Sequence, residues 1–357
     1  MESLNTNNNR ENSPVVLVTG ATGMLGSRLV YDLIRNGYRV RALLRNRSRL
    51  EQFQVNMGYY TPGAESLTRK VTWIETDLSD YPGLFDALDG IEMVFHCAAM
   101  VSFSPHQRKQ MYETNITGTG NLVNACLEKG VKRICHVSSI AALGRTEDGE
   151  WVTEETAWIP EKKHTGYSIS KFHSEMEIWR GVYEGLEAVV LNPSVILGPG
   201  DWDNGSPVFY KQIHQGMPFF TRGGTGFVDI RDVCKAMLLL SDEQNWGKAK
   251  NNRYLISGSN HTYQELFTAI ARSIGKKPPR IRATRSMMEA AWRLNGLISL
   301  LTRREPLVTR DSVMGACKMT WFDGSKITRL FALEYTPFEE SIDYIGAIFR
   351  DYLSRIK

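Results

Sequence analysis

Tyr167 and Lys171 stand four residues apart in the stretch Gly166-Tyr-Ser-Ile-Ser-Lys171. On a helix that spacing puts a phenol and an ammonium on one face, one above the other. A free phenol titrates near pH ~10, too high for efficient proton transfer at neutrality, and a cation held beside it favours the phenolate. The pair therefore predicts a proton donor and acceptor for an alcohol or a carbonyl. A surface helix with a solvated Lys has the same spacing, so the weight of the pair depends on what else the chain carries.

The chain also carries a phosphate-binding pattern. An apolar, β-branched run, Val15 to Thr19, leads into Thr19-Gly20-Ala-Thr22-Gly23-Met24-Leu25-Gly26. Glycines at i, i+3 and i+6 fall where a strand turns into a helix. Gly20 allows the tight turn, Gly23 removes the side chain that would block a pyrophosphate, and Gly26 lets the helix pack close to the strand. Free amides at the helix start then receive the phosphates. The second strand, Tyr38 to Leu44, ends in Arg41-Ala-Leu-Leu44-Arg45-Asn46-Arg47. An acid at this end would read the ribose of NAD, and a basic residue would read the 2′-phosphate of NADP. No acid is present, and Arg45 is best placed for the phosphate. NADP is the predicted cofactor, with NAD as the alternative.

These residues need a scaffold, and the apolar pattern supplies one. Strands are predicted at Val71 to Glu75, Glu92 to Cys97, Lys132 to Ser138 and Leu186 to Leu191. Helices are predicted at Gly23 to Asn36, His106 to Lys129 and Tyr167 to Tyr183. Alternating strands and helices imply an α/β fold: a doubly wound parallel (Rossmann) sheet covered by helices on both faces. Beyond Pro193 the pattern changes to dense Gly, Pro and aromatic residues, with a short strand at Arg253 to Ile256. The predicted organisation is a disordered tail over 1–13, a dinucleotide-binding domain over 14–192, and a smaller C-terminal α/β substrate lobe over 193–357 with return segments to the first domain.

Composition is that of an ordinary globular chain of 357 residues: 42% hydrophobic, 23% charged, net charge +4. The densest basic cluster is Arg39, Arg41, Arg45, Arg47 and Arg49, at the strand end just described, and no basic block marks a nucleic-acid binder. The five cysteines have no metal or CxxC spacing and read as reduced core residues, which places the chain in the cytoplasm. His96, His164 and His173 lack ligand spacing too, so no metal is predicted. No apolar run reaches the ~18 residues of a spanning helix. Met287 to Leu301, followed by Arg303 and Arg304, is apolar enough to pack on the lobe, to cap a cavity, or to touch a membrane surface peripherally.

Taken together, these motifs resemble those of an extended short-chain dehydrogenase/reductase, over nearly the whole chain. Thr19 to Gly26 resembles that family's TGxxGxxG loop, and Asp77-Leu78 its adenine-holding pair. His96-Cys-Ala98-Ala99 resembles the turn after the fourth strand, Asn115 the structural and proton-relay asparagine, and Val137-Ser-Ser139 with Tyr167 to Lys171 the catalytic Ser and YxxxK motifs. Asn192-Pro193-Ser-Val195-Ile-Leu-Gly198-Pro199 is similar to RPxxVYGP, with Asn192 in the Arg position. The Val40 to Arg45 strand end, Glu305 to Arg310, and Phe322 to Lys326 followed by Tyr335-Thr-Pro337 lean toward the dihydroflavonol-reductase and 3β-hydroxysteroid-dehydrogenase branch. Leu330-Phe-Ala-Leu-Glu-Tyr335 departs from that branch's Leu-Gly-Tyr.

The resemblance implies a role for each of these residues. Ser139, Tyr167, Lys171 and Asn115 would be catalytic, with Ser138 the neighbouring candidate for the Ser139 role. Gly20, Thr22, Gly23, Met24, Leu25, Gly26, Arg45, Asp77, Leu78, Ala98, Ala99, Tyr167, Lys171, Pro193 and Val195 would bind the cofactor. Lys171 would hold the nicotinamide ribose and lower the Tyr167 pKa. A homodimer through the helices at 106–129 and 167–183 is also implied. Met100, Val101, Phe103, Trp151, Trp202, Phe209, Phe219 and Phe220 would fall near the mouth, giving an apolar cavity for a steroid-, phenolic- or polyketide-like small molecule. The expected activity is NADP-dependent interconversion of an alcohol and a carbonyl. An NAD-dependent nucleotide-sugar epimerase or dehydratase, and a non-catalytic dinucleotide sensor, are the alternatives.

Overall fold

The computed structural model describes residues 13–146, 150–160, 164–284, 286–290, 292–293 and 317–356, leaving out the side chains at 64 and 65. Nearly all of the predicted tail over 1–13, the stretch 294–301 of the apolar segment, and Glu305 to Arg310 lie outside the described residues.

The apolar runs assemble into one seven-stranded sheet. Its order is Asn252–Ile256, Glu187–Pro193, Arg133–Val137, Met93–His96, Val15–Thr19, Arg39–Leu44, Val71–Glu75. Every neighbouring pair is parallel. Strand periodicity decides which residues face which helix layer. Val16 and Val18 enter the core under the helices Met24–Arg35 and Ile230–Ser241, while Leu17 enters the opposite core under Gly118–Lys129 and Gly166–Tyr183. Burial on both faces explains why these strands are continuously apolar rather than alternating. The chain winds outward from Val15–Thr19 in one direction, then crosses back to Met93–His96 and winds the other way. The crevice beyond the carboxyl ends of those two strands is the topological switch point, where open α/β sheets bind their ligands.

The path of one helix differs from the sequence expectation. The long helix expected over 106–129 is interrupted: a short helix, Arg108–Tyr112, passes into a wide π-turn, Glu113–Thr117, before Gly118–Lys129 resumes. The extra residue in that turn carries Asn115 toward the Met100 loop, a distortion of the kind that occurs at functional positions. The short strand at Arg253–Ile256 is a return segment, joining the main sheet as its edge strand beside Glu187–Pro193.

The remaining chain packs a three-stranded sheet, Val195–Leu197, Gly224–Asp229 and Ser259–Thr262, against the helices Val208–His214, Tyr263–Ser273 and Phe338–Arg355. Trp202, expected near the mouth, is instead buried in this core against Tyr59, Tyr210 and Phe349. Its indole N–H donates to the Tyr59 hydroxyl at 3.0 Å, the partner a buried indole needs. Phe209 likewise packs on Phe267. Within Met287 to Leu301, the described residues 287–290 and 292–293 are helical. No helix among the described residues is long and apolar enough to cross a membrane.

Candidate active site

The glycine loop leaves no room for side chains. Gly20 has φ +68°, and a Cβ there would come within 2.7 Å of the Ala98 nitrogen. A Cβ on Gly26 would meet the Gly20 carbonyl oxygen at 2.1 Å. Gly23 donates its amide to that same carbonyl at 3.0 Å and stands at the N-cap of Met24–Arg35, with no side-chain cap and no acid in the first turn. The helix start is therefore electropositive and lined with unpaired amides, the condition for receiving an anion. Leu25 packs its side chain on the core and Met24 lies against Gly200, so these two can serve a phosphate only through their backbone. Thr22 is half-buried beside them.

Across the crevice, the helix Gly166–Tyr183 begins at Thr165, whose hydroxyl accepts from the Ser168 amide. It places Tyr167 and Lys171 on one stripe, as their spacing predicts. Lys171 is 2% exposed, and its ammonium donates to the Val137 carbonyl at 2.9 Å. Burial lowers its pKa to about 8, while Glu175 opposes the fall. Burial pushes the Tyr167 phenol up and the nearby Ser139 hydroxyl pulls it down, with burial the larger effect. The lowered Tyr167 pKa expected from Lys171 is thus not the balance in this state, because burial outweighs what lowers it. Phe103 packs edge-to-face on Tyr167 with centroids 5.8 Å apart.

The two candidate serines, just past the strand end, take different partners on the helix Gly166–Tyr183. Ser139 faces Tyr167, whereas the Ser138 hydroxyl donates to the buried Glu175 carboxylate at 2.6 Å. Asn115 is fully engaged. Its Oδ1 accepts from the Met100 amide at 2.7 Å, and its Nδ2 donates to the Met100 carbonyl at 2.9 Å and to Ser170 at 3.1 Å. It pairs with the Met100 peptide as a second peptide would and so pins the loop that carries Phe103.

Behind these residues lies a polar layer in which sequence reasoning named His96 and Asn192 but not Thr119, Ser174 or Glu175. His96 bridges Thr19 at 2.7 Å and Thr119 at 2.9 Å, and Thr19 also accepts from the Ala98 amide. Thr119 continues to the Asn115 carbonyl and to Ser174. Burial drives the His96 pKa down to about 3, so this imidazole is neutral and structural. Asn192 and Glu175 form a second polar group under the serines. The only available signal for Glu175 was its position one further turn along the Tyr167–Lys171 stripe.

At the adenosine end, Arg45 is 57% exposed, with its Nε 3.9 Å from the Asp77 carboxylate. Arg45, Asn46, Ser48 and Arg49 line one side of a cavity of about 950 Å³ that reaches Met100 and Gln107. Asp77 also accepts from the Ser79 amide and hydroxyl. Leu78 is buried against Gly118, where a Cβ would approach it to 2.7 Å. Ala98 and Ala99 follow the fourth strand beside the glycine loop, with Ala99 exposed. Pro193 is buried at the end of its strand and Val195 is half-buried just beyond. Val101, Phe103, Trp151 and Phe219 are exposed apolar side chains. His164 stacks on Trp158 and His173 packs on Phe172.

The NAD dependent epimerase/dehydratase family model matches residues 16–256. A putative dihydroflavonol 4-reductase of Synechocystis is 27% identical over 330 residues, covering 91% of each chain. Sterol demethylase protein B of Methylococcus capsulatus is 31% identical over 280 residues, covering 76% of this chain and 78% of its own. Among solved structures, the UDP-glucose 4-epimerase of Thermotoga maritima with UDP-glucose superposes with a TM-score of 0.73 at 22% identity, covering 95% of this chain and 99% of its own, which shows the shared fold.

Proposed function

The chain belongs to the NAD dependent epimerase/dehydratase family, and within it we propose an NADP-dependent oxidoreductase that interconverts an alcohol and a carbonyl on an apolar small molecule. The observation that carries this reading is the placing of Tyr167 one helical turn from the buried ammonium of Lys171, which is bonded to the Val137 carbonyl beside the Ser138–Ser139 turn. The chain fits the cofactor. The Gly20–Gly26 cradle would be filled by any Cβ at Gly20 or Gly26, and its helix amides face the place a pyrophosphate takes. Bound there, NADP supplies or accepts a hydride at its nicotinamide.

The rest of the chemistry belongs to the chain. Ser139 donates a hydrogen bond to the substrate oxygen and holds it beside the phenol. Tyr167 gives that oxygen a proton in reduction and takes it back in oxidation. Lys171 would hold the ribose hydroxyls of the cofactor, and its positive charge would offset the desolvation that raises the Tyr167 phenol. Asn115 fixes the Met100 loop that carries Phe103. Arg45 and Arg49, with no acid at the second strand end, favour the 2′-phosphate of NADP.

The relatives' names point to an apolar substrate, a flavonoid-like or sterol-like alcohol or ketone, and the exposed Val101, Phe103, Trp151 and Phe219 supply contacts of that character. The test is turnover of NADPH and NADH with aryl ketones, enones and hydroxysteroids, with UDP-sugars as the contrast set. Loss of activity in Tyr167→Phe by a factor of about 10² or more, with cofactor binding retained, supports the assignment. Turnover of UDP-sugars without added cofactor, or an active Tyr167→Phe enzyme, refutes it.

A further inference from the structure

Glu175 is 1% exposed and lies one turn beyond Lys171 on the same helix. Its Oε2 accepts from the Ser138 hydroxyl at 2.6 Å and from Asn192 Nδ2 at 2.8 Å. Its Oε1 accepts from Trp179 Nε1 at 3.2 Å and faces the Arg253 guanidinium at 3.4 Å. Arg253 comes from the edge strand Asn252–Ile256 and also stacks on Trp179. Asn192 passes the connection on, because the same Nδ2 donates to the Ser139 carbonyl at 3.1 Å. One buried carboxylate therefore joins the edge strand, the Ser138–Ser139 turn and the helix of Tyr167 and Lys171.

We propose that Glu175 and Arg253 are positioning residues: the carboxylate keeps Lys171 an ammonium and, through Ser138 and Asn192, aims Ser139 at Tyr167, while Arg253 limits the strength of that carboxylate. The inference rests on the catalytic reading of Tyr167 and Lys171 given above. The charge balance around Lys171 supports it. Its own helix contributes Tyr167 and Glu175. The strand Arg133–Val137 contributes His136 and the Val137 carbonyl, and the end of Met93–His96 contributes His96 and Cys97. Both imidazoles are held neutral by burial, and burial pushes the Cys97 thiol up. Glu175 is left as the anion that keeps a buried ammonium charged, and a buried carboxylate so placed needs the hydrogen bonds and the cation it has. Asn192 cannot supply that cation, and Arg253 reaches in from the neighbouring strand to do so.

The experiment reads Lys171 directly and needs no substrate. The full chain is labelled with lysine carrying ¹³C at the ε carbon, and the Lys171 signal is identified by its loss in Lys171→Arg. Its titration is then followed by NMR in the cofactor-free protein. In Glu175→Gln the Lys171 midpoint falls by about one unit, as loss of a neighbouring opposite charge requires. In Arg253→Gln it rises, because the carboxylate then acts on Lys171 without a competing cation. Opposite shifts support the proposal. No shift in Glu175→Gln, or shifts of the same sign in both variants, overturns it, since a purely structural role predicts no such opposition. If Glu175→Gln does not fold, Arg253→Gln decides alone, its side chain being about a third exposed: a rise supports the proposal and an unchanged midpoint overturns it. An active Tyr167→Phe enzyme would refute the catalytic reading without touching this titration.

Discussion

Arg45→Ala isolates the 2′-phosphate from everything else the cofactor offers. A charge-assisted hydrogen bond is worth about 1.5–3 kcal/mol. Three features of this arginine set the value within that range. Its side chain is 57% exposed, so water and salt screen it. Its Nε lies 3.9 Å from the Asp77 carboxylate, a loose pair that shares its charge. Arg49 lines the same cavity and keeps part of the positive field when Arg45 is gone. The lower end, about 1.5 kcal/mol, is therefore expected, which weakens NADPH binding roughly tenfold. NADH has no 2′-phosphate, so its affinity stays within about twofold, and the freed Asp77 is available to a ribose hydroxyl as an acid at this strand end would be. Fluorescence titration of both nucleotides at two salt concentrations is the assay. Salt should narrow the NADPH advantage of the wild type more than that of the variant. Equal weakening of NADPH and NADH would mean that Arg45 supports the fold of the strand end instead. Unchanged NADPH binding would remove Arg45 from the cofactor site altogether.

Other perturbations test the scaffold. Gly26→Ala drives a Cβ into the Gly20 carbonyl at 2.1 Å, an overlap with the backbone of Gly20 and Ala21, so stability should fall by about 3 kcal/mol or more and nucleotide binding should be lost; thermal melting with and without NADPH reads both. Asn115→Ala leaves the Met100 peptide without its partners, costing about 1–3 kcal/mol, and should raise the substrate KM more than it lowers kcat as the Phe103 loop loosens. His96 has its folded pKa lowered to about 3 against an unfolded value near 6.5, so the unfolded chain binds the extra proton between those values. Its contribution is fully present above pH ~6.5 and falls by about 1.4 kcal/mol for each unit of acidification toward 3; a denaturation series over that range should show a shallower slope in His96→Asn than in the wild type.

What the sequence made legible were features fixed by near neighbours. The glycine loop could be read because turn, amide exposure and helix packing all depend on three residues within one turn of chain. The Tyr167–Lys171 stripe could be read because helical periodicity acts over four residues. The break in the helix around Asn115 could not. Nothing in Glu113 to Thr117 forbids a regular helix, and the widened turn is stabilised from outside it, by the Met100 peptide and by the distant chain of His96, Thr119 and Ser174.

The choice between Ser138 and Ser139 shows where the boundary lies. Strand periodicity states that the two face opposite ways, but it does not state which way, since that depends on which layer lies beneath. The strand supplies the answer only once its partners are known. Ile134 is buried under the helices Gly118–Lys129 and Gly166–Tyr183, and His136 and Ser138 continue that face, so Ser138 must meet the helix interior and Ser139 the crevice. A polar residue on that inner face needs a buried acceptor. Glu175 is that acceptor, and a buried carboxylate needs a cation in turn. Arg253 fits only because the chain comes back, after the lobe strands, to lay Asn252–Ile256 beside Glu187–Pro193. The carboxylate that holds Ser138 is thus paired with a cation from the edge strand of the sheet. This is why Arg253→Gln, remote in sequence from every motif, should register at Lys171.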